Sequence, residues 1–346
     1  MQPLAWIYGV VSAWRRKSFN SGKRLAYKAP VPVIVIGNIY VGGTGKTPLA
    51  CEISQILREQ GWHPGLVSRG FGRQESKTVA VGRGMNLDWR QFGDEPALIA
   101  RKSAMPVSVH QDRARACKAL LAAYPAIDII ISDDGLQHYR LARDVEILVQ
   151  DERGVGNGLL LPAGPLREPP TRLAQVDLVL TRVTLEGLEK AKKMAQINQF
   201  QLPEGLDKPN IAKAAFSLQI DGFWQPSTGQ TINVDQFVAR TRTQQPVAAI
   251  AGIGVPQRFF TNLTELGISV QHSYALSDHA AIDPQWVEGL SAETILITEK
   301  DAVKLPQNVA THKLWVAQTS VRWGYPDIKT VLSEKLARVG TQHLES

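Results

Sequence analysis

The chain has 346 residues, a length that favours two domains of ordinary size over one. With 44% hydrophobic and 21% charged residues it is neither disordered nor collagen-like, and its two cysteines, Cys51 and Cys117, supply no disulfide framework and no cysteine zinc cluster. The net charge is +7, but seven of the 39 bases precede the first acid, Glu52, leaving 32 bases against 32 acids; the excess is a local basic anchor, not the charged face that a nucleic-acid protein spreads over a domain.

The chain opens on Leu4, Ile7, Tyr8, Val11 and Trp14 at helical spacing, with Trp6 and Val10 widening the apolar face and Arg15-Arg16-Lys17 directly after it. Two settings suit such a helix. It lies in a membrane interface, its aromatic groups among lipid headgroups and its bases on anionic lipid, or it packs as an ordinary amphipathic helix on its own domain. The bases follow the apolar run, which argues against a cleaved signal peptide. No run of about 18 apolar residues occurs, so no segment reads as a bilayer-spanning helix.

Residues 31–37 form a β-branched run suited to a buried parallel strand, followed by a Gly-rich loop at 42–45 and a helix from Thr47 to about Gln60. Further strands are expected at 65–68, 106–109, 128–132, 145–150 and 176–181, with helices at 94–102 and 111–123 between several of them. This alternation predicts an α/β fold, a doubly wound sheet with its ligand at the carboxyl ends of the strands. The charged stretch 184–200 reads as an exposed helix or linker. Strands at 246–251, 269–274, 294–298 and 313–317, with helices at 256–266 and 284–290, predict a second, smaller α/β unit. The expected division is a basic amphipathic segment 1–28, a nucleotide-binding domain 29–200 and a smaller domain 201–346.

Gly42-Gly43-Thr44-Gly45-Lys46-Thr47 lies between the first strand and its helix. Backbone N–H groups of such a loop cradle phosphate oxygens, the helix N-terminus adds positive potential, Lys46 reaches the terminal phosphates, and the Thr47 hydroxyl is placed to ligate Mg²⁺. Tyr40 stands where the general motif has its first Gly. The apolar strand ending in Asp133-Asp134 sits where a metal-holding acid belongs, although an Asp134-Gly135 turn needs no metal. No lysine is followed two positions later by Asp, so the guanine-reading motif of GTPases is missing; Val41 stands where partitioning ATPases carry a lysine.

The chain resembles a known family, the tetraacyldisaccharide 4′-kinases of lipid A synthesis. The resemblance rests on Gly37-Asn38 with the loop through Pro48, Ser68-Arg69-Gly70-Phe71-Gly72-Arg73, Gly93-Asp94-Glu95-Pro96, Asp112-Arg113 and Asp133-Asp134-Gly135-Leu136-Gln137-His138. It continues through Leu161-Pro162-Ala163-Gly164-Pro165-Leu166-Arg167-Glu168, Ala251-Gly252-Ile253-Gly254, Pro256-Gln257-Arg258-Phe259-Phe260, Asp278-His279 and Thr298-Glu299-Lys300-Asp301. Within this family Tyr40 is no departure; Phe71 stands where Tyr is expected.

The resemblance implies transfer of the γ-phosphate of ATP to the 4′-hydroxyl of an acylated glucosamine disaccharide 1-phosphate, by a P-loop kinase lying peripherally on the cytoplasmic face of the bacterial inner membrane. It implies a lipid substrate, the membrane surface as partner, no nucleic acid and no obligate protein partner. Lys46 then steadies the terminal phosphates, while Gly42, Gly43, Thr44 and Gly45 form the cradle. Thr47, Asp133 and Asp134 hold Mg²⁺, with Glu95 as a further ligand. Asp94 is the base for the acceptor hydroxyl and His279 its partner from the second domain. Arg69, Arg73, Arg113, His138 and Arg167 are candidates for binding acceptor phosphate or sugar, with Arg258 a weaker one.

Each role has a plain structural counterpart. Asp94 before Glu95-Pro96 suits a helix start, His279 a local hydrogen bond, and each arginine a surface ion pair. The competing function is a nucleotide-driven switch or metallochaperone acting on a protein partner; isolated cysteines and scattered histidines give it no soft-metal cluster.

Overall fold

The computed structural model describes residues 1–195, 211–306, 311–324 and 327–344. Helix α1 (Gln2–Asn20) precedes β1 (Val33–Gly37), α2 (Lys46–Glu59), β2 (Pro64–Ser68), β3 (Ala80–Gly82), α3 (Trp89–Phe92), α4 (Asp94–Ser103), β4 (Val107–Val109), α5 (Arg113–Ala123), β5 (Ile129–Asp133), β6 (Val145–Asp151), β7 (Leu178–Arg182) and α6 (Leu185–Ala195). The second half runs β8 (Ala212–Trp224), β9 (Thr231–Asn233), α7 (Val234–Thr243), β10 (Val247–Ala251), α8 (Pro256–Glu265), β11 (His272–Ala275), α9 (Pro284–Glu288), β12 (Thr294–Thr298), α10 (Glu299–Ala302), β13 (Leu314–Trp323) and α11 (Ile328–Leu344).

β1 lies between β5 and β6, parallel to both, and all five of its residues are buried. Alternation then assigns its side chains to two layers. Ile34 and Ile36 join a core with Leu49 and Ile53 of α2, whereas Val33 and Val35 join one with Ala116, Cys117 and Leu120 of α5. The second unit repeats this: Val247 and Ala249 of β10 face one layer, Ala248 and Ile250 the other. Strands covered on both faces read as near-continuous apolar runs, which is why these were found from sequence.

The two units share one sheet. Among the described residues its order is β11-β10-β12-β13-β8-β7-β6-β1-β5-β2-β4-β3, with β9 beside β8. The join is β8, which pairs parallel with β7 over Ala212–Phe216 and antiparallel with β13 from Phe216 to Trp224. Neither β8 nor α7 nor α11 was anticipated. The expected boundary at 200/201 and the last five residues of the 184–200 stretch lie outside the described residues. The sequence division also needs correction at its end: Ile328, Leu332, Leu336 and Val339 of α11 bury in the first unit's core beside α2, so the chain's last helix returns to the first unit. A Lys329–Glu59 ion pair of 2.6 Å marks the contact.

Helix α1 docks by its small and polar residues. Ala5 and Ser18 are buried, a Cβ on Gly9 would meet Leu160 at 2.9 Å, and the Tyr8 hydroxyl donates to the Arg167 carbonyl at 3.0 Å. Its large apolar residues face out, with Trp6 72% and Trp14 60% exposed and Leu4, Ile7, Val10 and Val11 beside them. Among the described residues no helix is long and apolar enough to cross a membrane.

Candidate active site

The phosphate loop forms because Asn38, buried at the end of β1, spends its amide on the loop. Nδ2 donates to the carbonyls of Tyr40 (2.7 Å) and Gly42 (3.3 Å) and to Thr44 Oγ1 (3.2 Å). Gly45 takes φ +93°, a left-handed value that turns the chain into α2 and that an L side chain rarely adopts. From there a cavity of about 910 Å³ extends between the two units. Gly42 to Thr47, Glu95, Arg69, Arg113, Asp133, Asp134, His138, Arg167, Arg258 and His279 all line it. Of the residues expected to work together, only Asp94 and Arg73 are absent from its wall, and Asp94 enters through His279.

Asp94 begins α4 and is 3% exposed. One carboxylate oxygen accepts from the Glu95 N–H at 2.9 Å, and the other lies 2.8 Å from His279 Nδ1, on the second unit. Burial alone would raise the Asp94 pKa; the hydrogen bond from His279 and the Lys300 ammonium carry it below the ordinary carboxylate range instead. The same hydrogen bond raises His279 above the ordinary imidazole value, against its partial burial. His279 has φ +66°, an uncommon backbone value for a non-glycine residue, and its ring lies 5.0 Å from that of Phe71. Phe71 thus fills the position where the resemblance led one to expect Tyr, contacting the imidazole by its ring.

The two aspartates after β5 differ sharply. Asp134, at φ +47°, receives Arg167 Nη1 on both oxygens (2.9 and 3.2 Å) and Lys46 Nζ at 3.6 Å. Those cations hold its pKa down although burial opposes them. Asp133 is 1% exposed, and its Oδ1 has no hydrogen-bond partner. Burial pushes its pKa up, and the Glu95 and Asp134 carboxylates push in the same direction. An ionised carboxylate left in this state is costly unless a cation meets it.

The remaining candidates divide by what already holds them. Arg113 is 2% exposed and donates to the carbonyls of His110 and Asp133 (3.1 Å each), beneath the two aspartates; burial lowers its pKa to about 10. Arg73 bonds the carbonyls of Glu75, Thr78 and Val109, fixing its own loop rather than facing the cavity. Arg69 is exposed at the end of β2, on the cavity wall. His138 is lowered to about 3 by burial and by Arg113. Arg258 reaches Asp151 at 3.1 Å and the Gly43 carbonyl at 3.5 Å, tying α8 to the phosphate loop.

Sequence reasoning passed over three cavity residues. Arg15, counted with the basic anchor, reaches the wall near Arg69 and His138. Arg182 ends β7 beside Gly45. Lys300 was quoted within the Thr298–Asp301 motif but given no role. Only the last had a sequence signal, because the proximity of the other two follows from topology.

A family model described as Tetraacyldisaccharide-1-P 4'-kinase matches residues 1–337. A tetraacyldisaccharide 4'-kinase of Bordetella parapertussis is 44% identical over 341 residues, covering 97% of this chain and 92% of its own. One from Idiomarina loihiensis is 38% identical over 345 residues, covering 99% and 94%. A crystal structure of LpxK from Aquifex aeolicus in complex with ATP superposes with a TM-score of 0.76 at 24% identity, over 96% of this chain and 98% of that one, a likeness of fold.

Proposed function

The chain belongs to the tetraacyldisaccharide-1-P 4'-kinase family, and from that premise we propose how its residues carry out ATP-dependent phosphorylation of the 4′-hydroxyl of tetraacyldisaccharide 1-phosphate. One observation carries the reading: Asp94 of the first unit and His279 of the second meet at 2.8 Å beside a cavity that also holds the phosphate loop. A P-loop ATPase switch has no need of a buried carboxylate paired across its units at that place. The Aquifex aeolicus structure is a complex with ATP, and the loop 42–47 has the backbone and Lys46 to hold the same nucleotide here.

Asp133 and Thr47 fit Mg²⁺: one offers a buried carboxylate oxygen without a partner, the other a hydroxyl at the start of α2. Among the described residues no group of three or more His, Cys, Asp or Glu side chains gathers to hold a metal, in keeping with Mg²⁺ that uses one or two carboxylates and takes its other ligands from phosphates and water. When bound, the ion neutralises charge on the β- and γ-phosphates. Asp134 serves differently, orienting Lys46 and Arg167 towards the transferred group.

Asp94 accepts the proton of the 4′-hydroxyl as its oxygen bonds to the γ-phosphorus and the bond to the β-phosphate oxygen breaks, releasing ADP. His279 orients the carboxylate and keeps it ionised. Arg15, Arg69 and His138 line the side where the acceptor enters, beneath α1. The exposed Leu4–Trp14 face lays the enzyme on the cytoplasmic surface of the inner membrane, where the acceptor's acyl chains remain in lipid. The test is transfer from γ-labelled ATP to the lipid acceptor by wild type and Asp94→Ala, with ATP binding measured alongside.

A further inference from the structure

We propose that Thr298-Glu299-Lys300-Asp301 is a clamp between the two units, and that Lys300 is the positioning residue that fixes Asp94 for proton transfer. The proposal rests on the assignment of Asp94 above. Every side chain of the motif is engaged. Thr298 caps α10, its hydroxyl 2.7 Å from Asp301 Oδ2, and Asp301 accepts the Gly252 N–H at 3.1 Å and pairs with Lys304 at 3.0 Å. These bonds anchor the motif within the second unit. Glu299 accepts from the Thr319 N–H of β13 (3.1 Å) and from Lys102, at the far end of α4 (2.8 Å). Lys300 points at the near end of the same helix: its Nζ lies 3.1 Å from Glu95, 3.0 Å from Asp278 and 3.8 Å from Asp94. Helix α4 is therefore gripped at both ends by consecutive residues.

The chemistry of lysine explains the choice. Three carboxylates converge here, and His279 is hydrogen-bonded to one of them, Asp94. An ammonium is a compact charge with rotatable donors, so it hydrogen-bonds Glu95 on α4 and Asp278 in the loop of the second unit while standing 3.8 Å from Asp94, a convergence that a planar guanidinium does not fit. Without the ammonium, mutual repulsion would push the Asp94 and Glu95 carboxylates apart and leave the imidazole and the Glu95 N–H to orient the base. Asp278, next to His279 in the chain and bonded to the same ammonium, ties the imidazole's loop into this arrangement.

The test uses full-length enzyme in the lipid phosphorylation assay, with Lys300→Met, Lys300→Arg and Asp94→Ala beside wild type and ATP affinity measured separately. Lys300→Met is expected to lower kcat about 100-fold, with KM and Kd for ATP within about threefold, and to lower the melting temperature because Asp94, Glu95 and Asp278 lose the cation between them. Lys300→Arg, which keeps the charge but loses the fit, is expected to recover part of the loss. A Lys300→Met enzyme within threefold of wild-type kcat overturns the proposal. So does one whose ATP affinity falls by the same factor as its kcat, since Lys300 would then serve the nucleotide. If Asp94→Ala retains transfer while Lys300→Met loses it, the positioning of Asp94 is overturned. Wild-type enzyme that transfers nothing contradicts the kinase reading itself, a separate failure.

Discussion

Asp94 and Asp133 are both buried carboxylates at the cavity, and their surroundings set them apart. The first has His279 and Lys300 to hold it ionised; the second has an oxygen with no partner at all. Two consequences are measurable. Asp133→Asn removes a buried charge, so it is expected to keep or raise the melting temperature at pH 8 while abolishing Mg²⁺-dependent transfer; a clear loss of stability would instead make Asp133 a turn residue. His138, buried and lowered to about 3, is neutral when folded but takes a proton near pH 6.5 when unfolded. Its contribution is therefore complete above about pH 6.5 and is lost as pH falls towards about 3, with a slope limit of about 1.4 kcal/mol per pH unit. His138→Gln is expected to flatten the decline of the urea midpoint between pH 7 and pH 5, and an unchanged decline would contradict this. At this scale the motifs were readable as residue types at fixed spacing, but partners were not. Nothing in the sequence says that Arg73 bonds its own loop while Arg167 chelates Asp134, because each depends on where the chain turns in space.

Among the elements, α1 shows a choice left open by periodicity and narrowed by packing. A helix that buries its apolar face hides its tryptophans; α1 docks through Ala5, Gly9 and Ser18 and leaves Trp6 and Trp14 outside. Full burial of a large apolar side chain is worth about 1.5–3 kcal/mol, so partial insertion of each indole predicts roughly tenfold weaker vesicle binding per substitution. Trp6→Ser with Trp14→Ser is therefore expected to lower binding to anionic vesicles steeply while leaving ATP binding and melting temperature unchanged. A matching loss of stability would mean that the face packs against protein. The strands buried on both sides were readable as apolar runs, whereas β8 was not. Its first five residues lie in the parallel sheet and the rest pair antiparallel with β13, so no single period runs along its length. Helix α11 is amphipathic by pattern, but nothing local to it names the core it joins.

For the molecule as a whole, function depends on the junction. The phosphate loop and Asp133 belong to the first unit, His279 and Lys300 to the second, and β8 joins the two in one sheet. The second unit already lies close to the loop: a Cβ on Gly254 would come within 3.3 Å of the Gly43 nitrogen. In the proposed reading the acceptor enters from the side that α1 borders, so that lipid, Asp94–His279 pair and nucleotide share one path. Chelation of Mg²⁺ is expected to stop transfer, and its return to restore it; full activity in excess chelator would contradict the role given to Asp133 and Thr47. The fold class and the family resemblance could be read from the chain, but the sharing of one sheet and the return of α11 could not, since both are non-local pairings. The most direct measurement is transfer of the γ-phosphate from labelled ATP–Mg²⁺ to tetraacyldisaccharide 1-phosphate in mixed detergent micelles, with Asp94→Ala in parallel. Labelled lipid from wild type, and an Asp94→Ala enzyme that binds ATP but transfers about 10²- to 10⁴-fold more slowly, is the predicted result; ATP hydrolysis without labelled lipid would contradict it.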